Sequence, residues 1–222
     1  MTTTTTRAFR FVAAAAAAVA AIAGCAASAP AIDYDAATQQ MMQRSFRDQG
    51  IAKVERLQQD EADAACSKAL GAPLPDATRA AIEAANAKTI RMPADGRFIG
   101  DWKAGEALAQ NGRGMTWTDA SAAPSANGGN CYNCHQISKT EISYGTIGPS
   151  LYQYGKLRGV TDAAAPAARP VVEYTWGKLW NARASNACSG MPRFGDHQLL
   201  DETQLKNLMA LLLDPKSPVN AQ

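Results

Sequence analysis

Apolar positions recur at intervals of three and four residues along much of the chain, a spacing that places them on one face of a helix. The clearest predicted helix covers residues 201–213 and ends at Asp214-Pro215, because a residue before proline is pushed out of helical geometry. Its apolar face consists of Leu205, Leu208, Met209 and Leu212. A shorter helix is predicted over residues 173–184, with Trp176 and Trp180 on one face.

The N-terminal third has a helical pattern from residue 33 to about residue 89. Gly50 interrupts this pattern, and Gly71 with the prolines after it stops it. Asp76 is predicted to cap a third helix that ends at Ala87. The packing faces predicted before Gly71 consist of Met41, Met42 and Phe46, and then of Ile51, Val54 and Leu57.

The middle of the chain is predicted to hold a helix over residues 102–109, capped by Asp101, and loops at residues 121–129 and 162–170. The 222 residues are 46% hydrophobic and 19% charged, a balance that suits one globular domain, with or without a sizeable extension. The Ala-rich composition favours helix. The sequence therefore predicts an all-α fold.

The first 31 residues have the layout of a secretory signal peptide. Arg7 and Arg10 precede an uninterrupted apolar run that ends at residue 23, and this run is shorter than the ~20 residues that span a bilayer. Ala29-Pro30-Ala31 is an acceptable cleavage site, and we favour simple cleavage before Ile32. The alternatives are a lipoprotein signal that lipidates Cys25 and an Ala-rich buried helix. With either kind of signal, the predicted location is the periplasm.

The formal net charge of +2 belongs to this leader. Arg7 and Arg10 are the only charged residues before Asp33, so the remaining chain carries balanced charge. No basic patch stands out, and we expect no nucleic-acid partner.

The string Cys131-Tyr132-Asn133-Cys134-His135 is the attachment signature of c-type haem. Two thiols one short turn apart add across the two vinyl groups of haem, and the adjacent histidine supplies an imidazole nitrogen to the iron. We therefore predict one covalent haem c, attached through Cys131 and Cys134, with His135 as an iron ligand. The alternatives are a zinc site and a redox dithiol. Structural zinc needs four ligands, and only Cys66, Cys188 and His197 could join the motif, with no second C-x-x-C pair. A thioredoxin-like dithiol should follow a strand.

The sixth iron ligand is predicted to be Met191. A glycine precedes it and Pro192 follows it, so the backbone favours an extended loop that can reach across a haem face. Cys188, His197 and no ligand at all are the alternatives, whereas Met209 is assigned to the core. Ligation by histidine and methionine fills both axial sites and raises the reduction potential, which suits electron transfer.

Cys66 and Cys188 remain after the haem motif and Cys25 of the leader are set aside. An even pair in an oxidising compartment predicts a disulfide, which would pin the N-terminal helices to the Met191 loop. The alternatives are two free thiols and a catalytic cysteine.

Two resemblances add to these predictions. Gly148-Pro149-Ser150-Leu151 resembles the Gly-Pro-x-Leu of many small cytochromes c, which implies that the Pro149 carbonyl holds the His135 ring in one tautomer. The chain from about residue 45 to residue 220 resembles the SoxX family, the small cytochrome subunits of the SoxAX complexes of sulfur-oxidising bacteria. The matching stretches are SFRDQGIAKVERLQQDEADAACS, GGNCYNCHQ, EISYGTIGPSLYQYGKLRG, NACSGMPRFG and ALLLDPKSPVN.

The SoxX resemblance implies a class I cytochrome c fold over residues 96–222, preceded by an N-terminal helical extension over residues 32–95. It implies Met191 as the second axial ligand and a SoxA-like cytochrome as partner. In that family the complex joins thiosulfate oxidatively to a cysteine of the carrier protein SoxYZ, an L-cysteine S-thiosulfotransferase activity. The reactive haem belongs to SoxA, and the SoxX haem passes electrons to a downstream acceptor.

Three functions are therefore open: the electron-transfer subunit of that enzyme, a free-standing periplasmic carrier with one haem, and a haem enzyme such as a peroxidase. An axial Met191 argues against a peroxidase, because it fills the site that peroxide would need. The extension before Asp101 argues against a minimal carrier, which needs only the domain after it.

Overall fold

The structure is a computed structural model that describes residues 32–221. The predictions for the leader, including the lipidation of Cys25, lie outside these residues. Within the described range the regular structure is helical, and strand-like pairing is limited to an isolated bridge between Gln49 and Ala52. The all-α prediction is confirmed. A search of the same residues finds no helix with the length and apolar character needed to cross a membrane.

The chain divides into two compact units, one ending at Arg47 and one beginning at Asp48. In the first unit, helix α1 (Tyr34–Ser45) begins where the Asp33 carboxylate accepts a hydrogen bond from the Ala36 amide. None of its residues is buried, and Met41 is 46% exposed. The packing face predicted here is therefore not a buried face in the structure.

The second unit contains five α-helices and several short 3-10 turns. The α-helices are α2 (Glu61–Lys68), α3 (Asp76–Ala87), α4 (Trp102–Gln110), α5 (Arg169–Trp180) and α6 (Glu202–Leu213). The 3-10 turns are Val54–Leu57, Pro124–Ala126, Cys131–Asn133, Lys156–Arg158, Pro166–Ala168 and Ala182–Ala184. Residues 48–95 of the predicted extension thus fall in the same compact unit as the haem motif.

Two helix boundaries differ from the prediction in the N-terminal region. The pattern across residues 51–57 forms only a 3-10 turn, because Asp60 starts a new helix by accepting a hydrogen bond from the Asp63 amide at 2.8 Å. Asp76 was predicted as a cap, but it is the first residue of α3 and Pro75 occupies the cap position without a side-chain hydrogen bond.

Helix α5 begins four residues earlier than predicted. Pro170, predicted to be in a loop, lies in its first turn, where a missing N–H costs no intrahelical hydrogen bond. The helix ends at Trp180, and Ala182–Ala184 is a separate turn capped by the Asn181 side chain. The predicted alignment of Trp176 and Trp180 on one face is confirmed, since their ring centroids lie 5.9 Å apart.

The core of the second unit forms where α4 packs against α6. A Cβ placed on Gly105 of α4 would overlap the carbonyl of Asn207. The two helix backbones therefore approach each other more closely than a residue with a side chain at position 105 would allow. Asp201 and Gln204 cap α6 reciprocally. Residues 208–213 of α6 are all buried, so the single apolar face predicted for this helix was too narrow.

Candidate functional site

The CxxCH motif, residues 131–135, begins with the 3-10 turn Cys131–Asn133. Asn130 enters it in a left-handed conformation, with φ 49°. The Cys131 carbonyl then accepts hydrogen bonds from the amides of Cys134 at 3.1 Å and His135 at 2.9 Å. Neither Cys131 nor Cys134 forms a disulfide. Two thiols and an imidazole are therefore held together by local backbone geometry.

The His135 ring is fixed in one orientation by the Pro149 carbonyl. The distance from Nδ1 to this oxygen is 2.6 Å. A carbonyl oxygen only accepts hydrogen bonds, so Nδ1 carries a proton, and in the neutral ring the lone pair then lies on Nε2. The contact implied for Pro149 by its resemblance is therefore present, and it leaves His135 in the tautomer that a metal ion requires at Nε2.

A returning segment lies directly against the motif. The amides of Gly145, Gly148 and Leu151 donate to the carbonyls of Tyr132, Cys134 and Gln136 at 2.7, 2.8 and 2.7 Å. A Cβ on Gly148 would overlap the His135 ring, and one on Gly145 would overlap the Asn133 carbonyl. Glycine is required at both positions because the returning segment lies too close to the motif to accommodate a side chain there. The Gly148-Pro149 loop was predicted to present a carbonyl to His135, but the close approach that requires glycine at positions 145 and 148 was not predicted.

The Cys131 thiol is enclosed, although the residue as a whole is half-buried. Burial, with a smaller effect from the adjacent Cys134, raises the pKa of Cys131 to about 12. Reactive redox dithiols have a lowered thiol pKa, so this environment is opposite to the one that a thioredoxin-like function needs.

The predicted disulfide is present. Cys66 of α2 is bonded to Cys188, and their Cα atoms lie 5.6 Å apart. This bond removes both residues from the candidate zinc ligands. Among residues 32–221 no cluster of three or more His, Cys, Asp or Glu side chains is placed to hold a metal ion.

The candidates for a sixth iron ligand differ in whether their donor atoms are available. Met209 is fully buried within α6, and the Cys188 sulfur is committed to the disulfide. Met191 is half-buried and packs against the same core cluster as Cys131. The His197 side chain is 46% exposed beside Asp196, and burial followed by the charge of Arg193 lowers its pKa. Met191 and His197 therefore retain an available donor atom.

A partly exposed ion cluster joins α2 to the segment that carries Met191. Arg183, which is 8% exposed, donates from one nitrogen to both oxygens of Asp60 at 2.9 Å and from the other to Asp63. Arg193 donates to Asp60 at 2.9 Å. Partial burial alone would raise the pKa of Asp60, but the Asp63 amide and the two arginines outweigh it and lower it to about 2. Sequence reasoning missed this cluster, whose only local signal is an Asp-x-x-Asp helix start.

A cavity of about 580 Å³ lies beside the haem motif. Glu106, Tyr132, Ile137 and Glu141 contribute to its lining, together with residues from the C-terminal part of the chain. Neither His135 nor Met191 lines it. The cavity therefore adjoins the CxxCH motif at Tyr132 and does not contain the predicted iron ligands.

Comparison with known proteins gives one informative similarity. No family model matches the chain. The chain is similar to a protein of Aquifex aeolicus (strain VF5) named "Uncharacterized lipoprotein", with 36% identity over 132 residues. The match covers 60% of this chain and 58% of that protein, so the chain spans little more than half the length of this relative. The relative's name indicates a lipid-anchored protein and states no activity.

Proposed function

We propose that this chain is the electron-transfer cytochrome c subunit of a SoxAX-type complex, with one haem attached through Cys131 and Cys134. His135 and Met191 are the proposed axial ligands. The complex as a whole would join thiosulfate to a cysteine of SoxYZ, while this subunit relays the electrons that the reaction releases.

The observation that carries the proposal is the geometry of His135. Its Nδ1–H is donated to the Pro149 carbonyl, so Nε2 is the nitrogen available to iron. The two motif cysteines are unbonded and share one turn with it, as addition to two vinyl groups requires. This donor set fits a covalent haem and fits neither of the alternatives considered for the motif.

The haem iron, when bound, supplies one-electron redox chemistry between its ferric and ferrous states. The chain's own residues orient the imidazole of His135 and carry the thioether of Met191 on a loop. A haem iron held by both side chains would have no open position for thiosulfate or peroxide. The site is therefore suited to electron relay and not to catalysis at the metal.

The role of the partner follows from the chemistry of the coupled reaction. Joining thiosulfate to a cysteine thiol forms one S–S bond and releases two electrons and one proton. This subunit accepts the electrons one at a time and passes each to a downstream acceptor. Because Cys66 and Cys188 are bonded to each other, they offer no thiolate for sulfur chemistry, and the reactive centre is assigned to a SoxA-like subunit.

We place the protein in the cell envelope, on the periplasmic side. The predicted leader supports export. The lipoprotein name of the relative favours the alternative in which Cys25 carries a lipid over the simple cleavage before Ile32 that the sequence favours. Mass spectrometry of the mature N-terminus tests the anchor: a diacylated Cys25 supports it, and a free N-terminus at Ile32 contradicts it.

Covalent attachment is tested by acid–acetone extraction and by haem staining of the denatured protein. We expect the haem to remain with the wild-type chain. In the Cys131→Ala/Cys134→Ala variant it should extract completely. The matched control is Cys66→Ala/Cys188→Ala, which also lacks two cysteines and should keep its haem. Extraction of haem from the wild-type chain would refute thioether attachment.

The function is tested by mixing thiosulfate, SoxYZ and an electron acceptor, with and without a SoxA-like subunit. We expect turnover and reduction of this haem only when that subunit is present. Turnover by this chain alone would make it an enzyme. A haem that accepts electrons from other donors but not in the full mixture would support the free-standing carrier instead.

A further inference from the structure

The loop that carries Met191 is fastened at both ends to one short helix. Cys188, three residues before Met191, is bonded to Cys66 of α2. Arg193, two residues after Met191, donates to Asp60 at the N-terminus of the same helix. The six-residue span from Cys188 to Arg193 therefore has a covalent anchor at one end and an ionic anchor at the other.

Between these two anchors the loop is held weakly. The Met191 amide donates to the Ser189 hydroxyl at 3.3 Å, and the Ser189 amide donates to the Asn186 carbonyl at 3.0 Å. A Cβ on Gly190 would meet no atom within 4 Å, so the backbone there is open. The backbone of this span is therefore positioned by its two ends, together with the packing of the Met191 side chain against the core.

Asp60 is the residue on which the ionic anchor converges. It accepts from Arg193 and from Arg183, so one carboxylate holds the beginning and the end of the segment 183–193. Arg183 has a second acceptor in Asp63, whereas the described ion pair of Arg193 is with Asp60. Loss of the Asp60 charge should release the Arg193 end first.

We propose that Asp60 is a positioning residue that keeps Met191 in place as an axial ligand, acting through Arg193. This inference rests on the proposed function, because it requires an iron ligated by Met191. It assigns a redox role to the helical segment before the haem domain: that segment sets how firmly the sixth ligand is held.

The test uses the full-length haem-loaded protein and its Asp60→Asn variant. We expect the haem to stay attached and the protein to stay folded. The methionine-to-iron charge-transfer absorption of the ferric state should weaken, the reduction potential should fall, and the affinity of the ferric iron for added imidazole should rise at least tenfold. Asp60→Glu restores the charge and should recover most of the wild-type signal.

Two further variants keep the test decisive. Arg193→Gln removes only the anchor next to Met191. It should show the effect expected for Asp60→Asn, so the test does not depend on whether the Asp60→Asn protein folds well. Asp48→Asn removes an exposed ion pair with Lys53 in the same N-terminal region and should leave all three signals unchanged.

The outcomes separate this inference from the proposed function. If both Asp60→Asn and Arg193→Gln keep the methionine absorption and the imidazole affinity of the wild-type protein, the positioning role of Asp60 is overturned. The assignment of Met191 as an axial ligand is then unaffected. Absence of the methionine signal from the wild-type protein would instead overturn the assignment of Met191, and the positioning role with it.

Discussion

Replacement of both cysteines of the disulfide, in a Cys66→Ala/Cys188→Ala variant, should lower the free energy of unfolding by about 2–5 kcal/mol. The two residues are separated by 122 positions. Loop-closure entropy for a ring of that length is worth about 5 kcal/mol at 25 °C, which sets the upper end of the range. The lower end applies because the unfolded chain retains some structure and because the ion cluster still holds α2 when the bond is gone.

Urea denaturation of the haem-loaded protein measures this difference, and a reductant supplies the control. Reduction under native conditions should bring the wild-type protein to the stability of the variant and leave the variant unchanged. Hydrogen exchange should show the largest loss of protection in α2 and near Met191, and little change in α6. Two alkylatable thiols in the native wild-type protein, or equal stability before and after reduction, would refute this reasoning.

Three further predictions follow from the site. Met191→Ala should keep its haem but lose the shifted methyl resonance of an axial methionine in the NMR spectrum of the reduced protein, and its reduction potential should fall; survival of that resonance would contradict the assignment. Gly148→Ala should destabilise the protein by about 1–3 kcal/mol in thermal unfolding, because its Cβ overlaps the His135 ring, whereas Gly190→Ala, which has open space around it, should be nearly neutral. Because its folded-state pKa is lowered, Asp60 contributes stability that is fully present above the unfolded value near 3.8 and is lost as the pH falls towards about 2. Acid titration of unfolding should therefore show a loss of stability of about 1 kcal/mol in that window, and this loss should be absent in Asp60→Asn.

Local chemistry was readable from the sequence where a few adjacent residues determine the structure. The Asp101 cap is confirmed, because its carboxylate accepts from the Lys103 amide two residues away. The helix over residues 202–213 was also clear from its periodicity. Asp76 failed as a predicted cap, since a favourable residue type does not fix the backbone geometry that a cap needs.

The candidate site was predictable in part for the same reason. The CxxCH turn is encoded in five adjacent residues, and the Pro149 contact followed from a known tetrapeptide. The need for glycine at positions 105 and 148 was not predictable, because it arises from segments that meet only in the folded chain. The Asp60–Arg193 pair spans 133 residues, and nothing in either local sequence indicates the other.

The disulfide has a consequence for the order in which an exported chain matures. On the proposed export route the N-terminus would leave the cytoplasm first, so Cys66 would reach an oxidising compartment before the CxxCH thiols, and Cys188 would reach it last. An oxidant that joins cysteines as they emerge would pair Cys66 with Cys131 or Cys134 and block the proposed haem attachment. Biogenesis would therefore have to keep Cys66 reduced, or reopen early bonds, until Cys188 had been exported. Depletion of the periplasmic disulfide isomerase or thiol reductant should trap haem-free protein with non-native disulfides.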